Sequence, residues 1–227
     1  MVKRLFDLVF AIVMATITLP IVALSALGVF LSDPGPVFYT AQRSGLKGKL
    51  FPLYKLRSMR RRKPGQEGSV ISAGSKDPRV FAFGRFIRLT KIDELPQFWN
   101  VILGHVSVVG PRPEDPKIVE TLYTPYDMRT LDVRPGLASP GSIYSSTHGD
   151  QLVGEEDPER DYAEKMLPIK LSIEQVYLDR MSVGYDLQVI WRTISLIVQS
   201  LAGRKTWPDP PEMAAAREHL AKRGTVS

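Results

Sequence analysis

The chain has 227 residues, enough for one globular domain with a real core plus an accessory segment, and not calling for a second full domain. It contains no cysteine, which excludes a disulfide framework, a thiolate nucleophile and a Cys-ligated metal, and its three histidines, His105, His148 and His219, are too scattered to suggest zinc. Thirty Lys and Arg against 24 Asp and Glu leave a net charge of +6, a bias suited to an anionic partner such as phosphate, nucleic acid or the inner face of a membrane.

The first element is apolar. From Leu8 to Leu31 the chain reads LVFAIVMATITLPIVALSALGVFL, about 24 residues, long enough to cross a bilayer as a helix. No small-residue cleavage site precedes the polar turn from Ser32 to Pro36, so the segment is expected to be retained. Lys3 and Arg4 precede it, and Arg43, Lys47, Lys49, Lys55 and Arg57 follow it, so the positive-inside bias pulls both flanks to the cytoplasm. Pro20, near the middle, removes one helical hydrogen bond and supplies a kink. Together these features admit a re-entrant helix that turns back at Pro20, with Thr16 and Thr18 available to bond the freed carbonyls. An ordinary spanning helix with a tolerated proline is the alternative.

After the turn, Val37 to Thr40 and Leu50 to Leu56 read as strands, followed by the basic loop KLRSMRRRKPGQEG, whose run Arg60, Arg61, Arg62 and Lys63 suits a solvated or lipid-facing surface. Asp77-Pro78 reads as a helix start, with Val80, Phe83 and Ile87 on one side of the segment that follows. A second helix is expected from Asp93 to Leu103, then a short buried strand, VSVVG, ending in GPRP. Strand and helix alternate, as in an α/β domain. Past Arg134-Pro135-Gly136 comes a segment with the Gly, Ser and Pro content of a loop, then helical stretches Arg160 to Met181, interrupted by Pro168, and Tyr185 to Ala202. In the last of these Leu187, Ile190, Trp191, Ile194, Ile197 and Leu201 form one stripe. Core packing is the commoner use of such a stripe, and a membrane interface is the alternative. The expected organisation is therefore a membrane helix and turn at 1–36, a globular domain at 37–203, and a polar mobile tail at 204–227.

The most pointed local feature is Lys91-Ile92-Asp93-Glu94-Leu95-Pro96-Gln97. Two acids before a proline in the opening turn of a helix sit where backbone N–H groups and the dipole favour negative charge, which keeps Asp93 ionised. Their hard oxygens suit Mg²⁺ better than a soft metal. The same dipeptide is more often only a cap, so its neighbours decide. Those neighbours are Lys55 and Arg57 at a strand end, Arg85 and Arg88 on the preceding helix, and Arg112, fixed between prolines right after the buried strand, where open α/β sheets bind ligands.

Several segments taken together carry a specific resemblance. They are KRLFD and the intramembrane proline, DPGPVFYTAQRSGLKGKLFPLYKLRSMR, FGRFIRLTKIDELPQFWNVILGHVSVVGPRP, VRPG and YLDRMSVGYDLQVIWRT. In this order they resemble the monotopic phosphoglycosyl transferases, the bacterial sugar transferase family, over residues 1 to 137 and 160 to 200. The resemblance implies a small α/β catalytic domain with an N-terminal re-entrant membrane helix and amphipathic interfacial helices, on the cytoplasmic face of the bacterial inner membrane. It also implies a ping-pong reaction as the first membrane step of lipid-linked glycan assembly. Asp93 is similar to the nucleophile that takes a phosphosugar from a UDP-sugar, releasing UMP, and polyprenyl phosphate then accepts it. Glu94 is similar to the partner acid, Asp93 to the Mg²⁺ ligand, and Lys55, Arg88 and Arg112 to the phosphate- and nucleotide-binding positions. The partners implied are the UDP-sugar, polyprenyl phosphate and inner-membrane lipids, with no nucleic acid; a homo-oligomer is compatible with all of this.

Two departures stand out. Leu19 replaces the serine that precedes the kink proline in the family, and Leu137 to Asp150 replaces a Trp-containing segment, which leaves the sugar unassigned. A membrane-anchored basic binding protein and an inactive scaffold are the competing readings. Neither gives Asp93, Glu94, Lys55 and Arg112 a task.

Overall fold

A computed structural model describes residues 2–60, 78–154 and 156–224. These fall into two compact units, Met1–Gln42 with Pro52–Gly104, and Arg43–Phe51 with His105–Ser227. The basic run from Arg61 to Lys63 and the helix-start residue Asp77 lie outside the described residues.

In the first unit, helix α1 (Val2–Ser32) carries a single buried stripe of Asp7, Ala11, Thr18, Ser25 and Val29, while Leu5, Val9, Ile17, Leu24 and Leu31 are exposed. By length and composition it is apolar enough to cross a membrane. Helix is continuous through Pro20. The Thr16 and Thr18 hydroxyls donate to the carbonyls of Ile12 and Met14, four residues back, so neither serves the carbonyl that Pro20 frees.

Both ends of α1 are docked on the same unit. Near its start the Arg4 guanidinium donates to the carbonyls of Val101 (2.9 Å) and Ile102 (3.2 Å), which close the short helix α3 (Gln97–Ile102). Near its end Val29 joins Leu56, Phe81 and Ile87 in a core, with Val22, Ala26 and Phe83 around it. Val29 and Ile87 are fully buried, each stabilising the unit by about 2 kcal/mol. The expected strands appear as a two-stranded sheet, β1 (Phe38–Ser44) and β2 (Leu50–Leu56), and Ile87 heads inward from helix α2 (Ala82–Leu89), as its spacing predicts.

In the second unit, β3 (Ser107–Val109) pairs in parallel with β4 (Gly136–Ala138), Ser107 opposite Gly136 and Val109 opposite Ala138. The crossover between them contains α4 (Pro116–Leu122) and a 3₁₀ turn at Asp127–Asp132. Two glycines set the closeness of this pairing. A Cβ on Gly110 would stand 2.5 Å from the Arg134 carbonyl oxygen, and one on Gly136 would overlap the Gly110 nitrogen. The α/β expectation is thus met in reduced form: helices dominate, and the described residues hold two separate two-stranded sheets instead of one layer.

Two expectations change here. The segment read as a loop after VRPG holds α5 (Pro140–Leu152), with the Ser139 hydroxyl capping the Ser142 N–H and Pro140 in the first turn. The helical stretch expected around Pro168 is present and runs from α6 (Pro158–Asp161) through a π turn (Tyr162–Met166) into α7 (Leu167–Arg180), so the expected interruption takes the form of that π turn just before the proline. From residue 204 onward, where a polar mobile tail was expected, α9 (Met213–Gly224) packs on the unit. Ala216 joins the core of Tyr144, Met166, Ile173 and Val176, and Arg223 pairs with the buried Asp127 at 2.9 Å.

Helix α8 (Val183–Leu201) buries Asp186, Val189 and Leu196 and turns Leu187, Trp191, Ile194, Val198 and Leu201 outward. Trp191 is 70% exposed. The core-packing reading of the stripe is therefore corrected: the core is filled from the opposite side of the helix, and the apolar face is offered outward.

Candidate active site

The acids Asp93 and Glu94 lie in the first unit, in a 3₁₀ turn (Ile92–Glu94) separate from α3. The opening turn of an α-helix expected for them does not form, because Pro96 has no N–H to bond the Ile92 carbonyl. The Leu95 N–H takes that carbonyl instead, in the tighter i to i−3 pattern. Lys91 enters the turn at φ 59°, ψ 15°, a left-handed conformation that costs a non-glycine residue about 1 kcal/mol or more. Strain therefore sits two residues from Asp93.

Strand β2 brings Lys55 to this turn, where its ammonium pairs with Glu94 Oε1 at 3.0 Å. A buried asparagine fixes that approach. Asn100 of α3 is fully buried, accepts the Tyr54 N–H at 3.0 Å and donates to the Pro52 carbonyl at 2.7 Å, joining α3 to the strand just before Lys55. Arg88 stands in the last turn of α2, its guanidinium 3.3 Å from the Met59 sulfur.

Asp93 is buried, and its Oδ1 has no hydrogen-bond partner among the described residues. Burial pushes its carboxyl up to about 6, the Glu94 charge adds to the rise, and Lys55, Lys91 and Arg88 oppose it. This corrects the expectation that a helix dipole holds Asp93 firmly ionised: the dominant influence is desolvation. An idle, buried carboxylate oxygen beside several cations is chemically a place for an electrophile or a hard cation. Among the described residues no three His, Cys, Asp or Glu side chains gather as a metal site. That is compatible with Mg²⁺, which keeps several waters and uses one or two carboxylates together with substrate phosphates.

The structure thus brings Lys55, Arg88, Asp93 and Glu94 together in one unit. Arg112 belongs to the second unit, half-buried after β3, where its backbone N–H donates to Glu174. Arg57 is committed elsewhere: its guanidinium is buried against the Asp33 side chain and carbonyl in the turn after α1. Arg85 is exposed on α2. Asn100 and Asp33 escaped the sequence reading. The former lies within the DELPQFWN motif and the latter in DPGP, so the motifs were noticed but the two residues were given no role.

The sequence matches the family described as bacterial sugar transferase over residues 1–200. It is 45% identical over 119 residues to a putative undecaprenyl-phosphate N-acetylgalactosaminyl 1-phosphate transferase of Bacillus subtilis, covering 52% of this chain and 65% of that protein. It is 34% identical to the UDP-glucose:undecaprenyl-phosphate glucose-1-phosphate transferase of Escherichia coli, over 86% of this chain and 39% of that protein. With the protein of the same description from Caulobacter vibrioides it shares 31% identity, over 85% of this chain and 68% of the other. The chain therefore spans less than two thirds of the length of the first two.

Proposed function

The chain belongs to the bacterial sugar transferase family, and from that premise we propose that it transfers a sugar phosphate from a UDP-sugar to a membrane polyprenyl phosphate through a phosphosugar held on Asp93. In the first step an Asp93 carboxylate oxygen bonds to the sugar-proximal phosphorus and the bond to the UMP oxygen breaks, so UMP leaves. In the second, a phosphate oxygen of the polyprenyl phosphate attacks the same phosphorus, the bond to Asp93 breaks, and the carboxylate is regenerated with a polyprenyl diphosphate sugar as product. The observation that carries this reading is the buried Asp93 oxygen with no hydrogen bond, next to the Lys55–Glu94 pair.

Lys55 and Arg88 offset the repulsion between carboxylate and diphosphate, and Arg112 is assigned to phosphate by the family resemblance. Glu94 holds Lys55 in place and adds negative charge that raises Asp93. When bound, Mg²⁺ held by Asp93 would neutralise diphosphate charge. The relatives' names cover both glucose and N-acetylgalactosamine, so the sugar is left to experiment.

We further propose a monotopic arrangement on the cytoplasmic face. Its support is that Arg4 and Val29, near opposite ends of α1, both pack on the unit that carries Asp93. Docking of both ends on one unit favours entry and exit on the same side of a bilayer. The exposed Phe86, Leu89, Trp99 and Leu103 of α2, α3 and the residue after it suit the same interface.

The deciding experiment incubates the purified full chain with Mg²⁺ and UDP-glucose or UDP-N-acetylgalactosamine, without acceptor, and reads UMP and intact mass. A gain of one sugar phosphate that Asp93→Asn abolishes is expected. UMP release that strictly requires polyprenyl phosphate, with no adduct on the protein, would replace the covalent route by direct transfer.

A further inference from the structure

We infer that Glu174 is the positioning residue for Arg112: its carboxyl clasps the loop after β3 to the start of α5 and thereby fixes where Arg112 is presented to phosphate. This deepens the reading above and rests on its assignment of Arg112.

Arg112 stands between two prolines, in Pro111-Arg112-Pro113. Two of these three residues lack a backbone N–H, so Arg112 supplies the only amide donor of the segment. That donor goes to Glu174 Oε1 at 3.2 Å. The same oxygen accepts the Ser139 hydroxyl at 2.7 Å, and Ser139 in turn caps α5 through the Ser142 N–H at 2.9 Å. On the other side the Gly136 N–H donates to the Pro111 carbonyl at 2.8 Å. The residue bearing the guanidinium is therefore held by its own amide, and its predecessor by its carbonyl.

Space at the clasp is as restricted as its bonding. A Cβ on Gly141, in the first turn of α5, would stand 2.5 Å from Glu174 Oε1, so no side chain fits between helix start and carboxyl. Glu174 itself is 1% exposed, which leaves it no direct path to a substrate; its influence passes through Arg112. Burial pushes the carboxyl up to about 7, with Glu114 raising it and the Ser139 and Arg112 hydrogen bonds and Lys170 lowering it; Tyr123 also lies within electrostatic reach. A glutamine, neutral and of the same shape, keeps the accepting oxygen.

The test measures the Kd for UDP with Mg²⁺, by calorimetry on the full chain in detergent, for the parent, Arg112→Ala, Glu174→Ala, Glu174→Gln and the double variant Arg112→Ala with Glu174→Ala. Glu174→Ala should weaken UDP at least about fivefold, Glu174→Gln should stay within about twofold of the parent, and the double variant should bind no more weakly than Arg112→Ala alone. Effects that simply multiply in the double variant would overturn the proposal, because Glu174 would then act independently of Arg112. Should Glu174→Ala fail to fold, Glu174→Asp takes its place in the cycle, since it withdraws the accepting oxygen by one methylene. The parent reading fails separately: a parent chain that does not bind UDP removes the transferase assignment, and Arg112→Ala binding like the parent removes Arg112 from the phosphate site.

Discussion

Asp93 in the first unit and Glu114 in the second are both buried acids next to a lysine, yet they are finished differently. Glu114 is held from two sides: the Lys170 ammonium lies against it, the Tyr162 hydroxyl donates at 3.3 Å, and its carboxyl is held below the ordinary range in spite of desolvation. Asp93 keeps an oxygen with no partner, and the nearby lysine is spent on Glu94 instead. Leaving a buried polar atom idle costs about 1–3 kcal/mol. On the mechanism proposed above, the bonded carboxylate is a strut and the one with an idle oxygen is a reagent.

The strongest way to break that contrast is Asp93→Asn. We expect UMP release to fall by more than about 1000-fold, or about 4 kcal/mol of barrier, while the melting temperature stays level or rises, since a desolvated charge is removed. Parent-like turnover in a folded variant would make Asp93 a second strut. Lys170→Met should do the reverse and cost about 3–5 kcal/mol of stability by stranding Glu114. Replacing Glu114 by Leu in the same chain should recover much of that loss in denaturant melts.

Asn100→Leu sharpens the comparison from the scaffold side. It leaves the Tyr54 N–H and the Pro52 carbonyl unpaired and should cost about 2 kcal/mol. Turnover should drop as well, because Lys55 follows directly on that strand segment, whereas Lys170→Met rescued by Glu114→Leu should retain turnover.

The smallest effect concerns pH. Glu174 is raised from 4.5 to about 7, so the native state binds its proton more tightly than the unfolded chain does. The stability this gives is complete below about 4.5 and is lost as pH rises through about 7. Glu114 has the opposite sign: its contribution is present above its unfolded value and is lost as pH falls through its lowered native one. Glu174→Gln should therefore flatten the decline in melting temperature between pH 5 and pH 8, a range set by the Glu174 shift, and leave the acid limb in place. An unchanged slope would mean that another group titrates there.

Much of the first unit was legible in the sequence because its signals are local. Aromatic and apolar residues mark β2, helical spacing places Ile87 on the inward side of α2, and the acids of DELPQ stand out beside nearby basic residues. The 3₁₀ turn was not legible, since it depends on where one missing N–H falls. In the second unit α5 was hidden by Gly, Ser and Pro, which are loop formers except where Ser139 and Pro140 stand in cap and first-turn positions. α9 was hidden because a polar helix can dock through a few groups, among them Ala216 and the Arg223–Asp127 pair, instead of an apolar stripe. The α8 stripe was visible, but periodicity gives a face and not what the face meets.

The docking of α1 bears on how this protein can be handled. A chain trimmed to begin at Asp33, as one might trim a membrane enzyme to gain a soluble catalytic fragment, would lose Val29, Val22 and Ala26 from the side of Leu56, Phe81 and Ile87, and would uncap α3 by removing Arg4. What the truncation discards is then a wall of the unit that carries Asp93. The apolar segment is accordingly not exchangeable for an arbitrary membrane anchor: a foreign helix of equal hydrophobicity would hold the protein at a bilayer and leave this wall open.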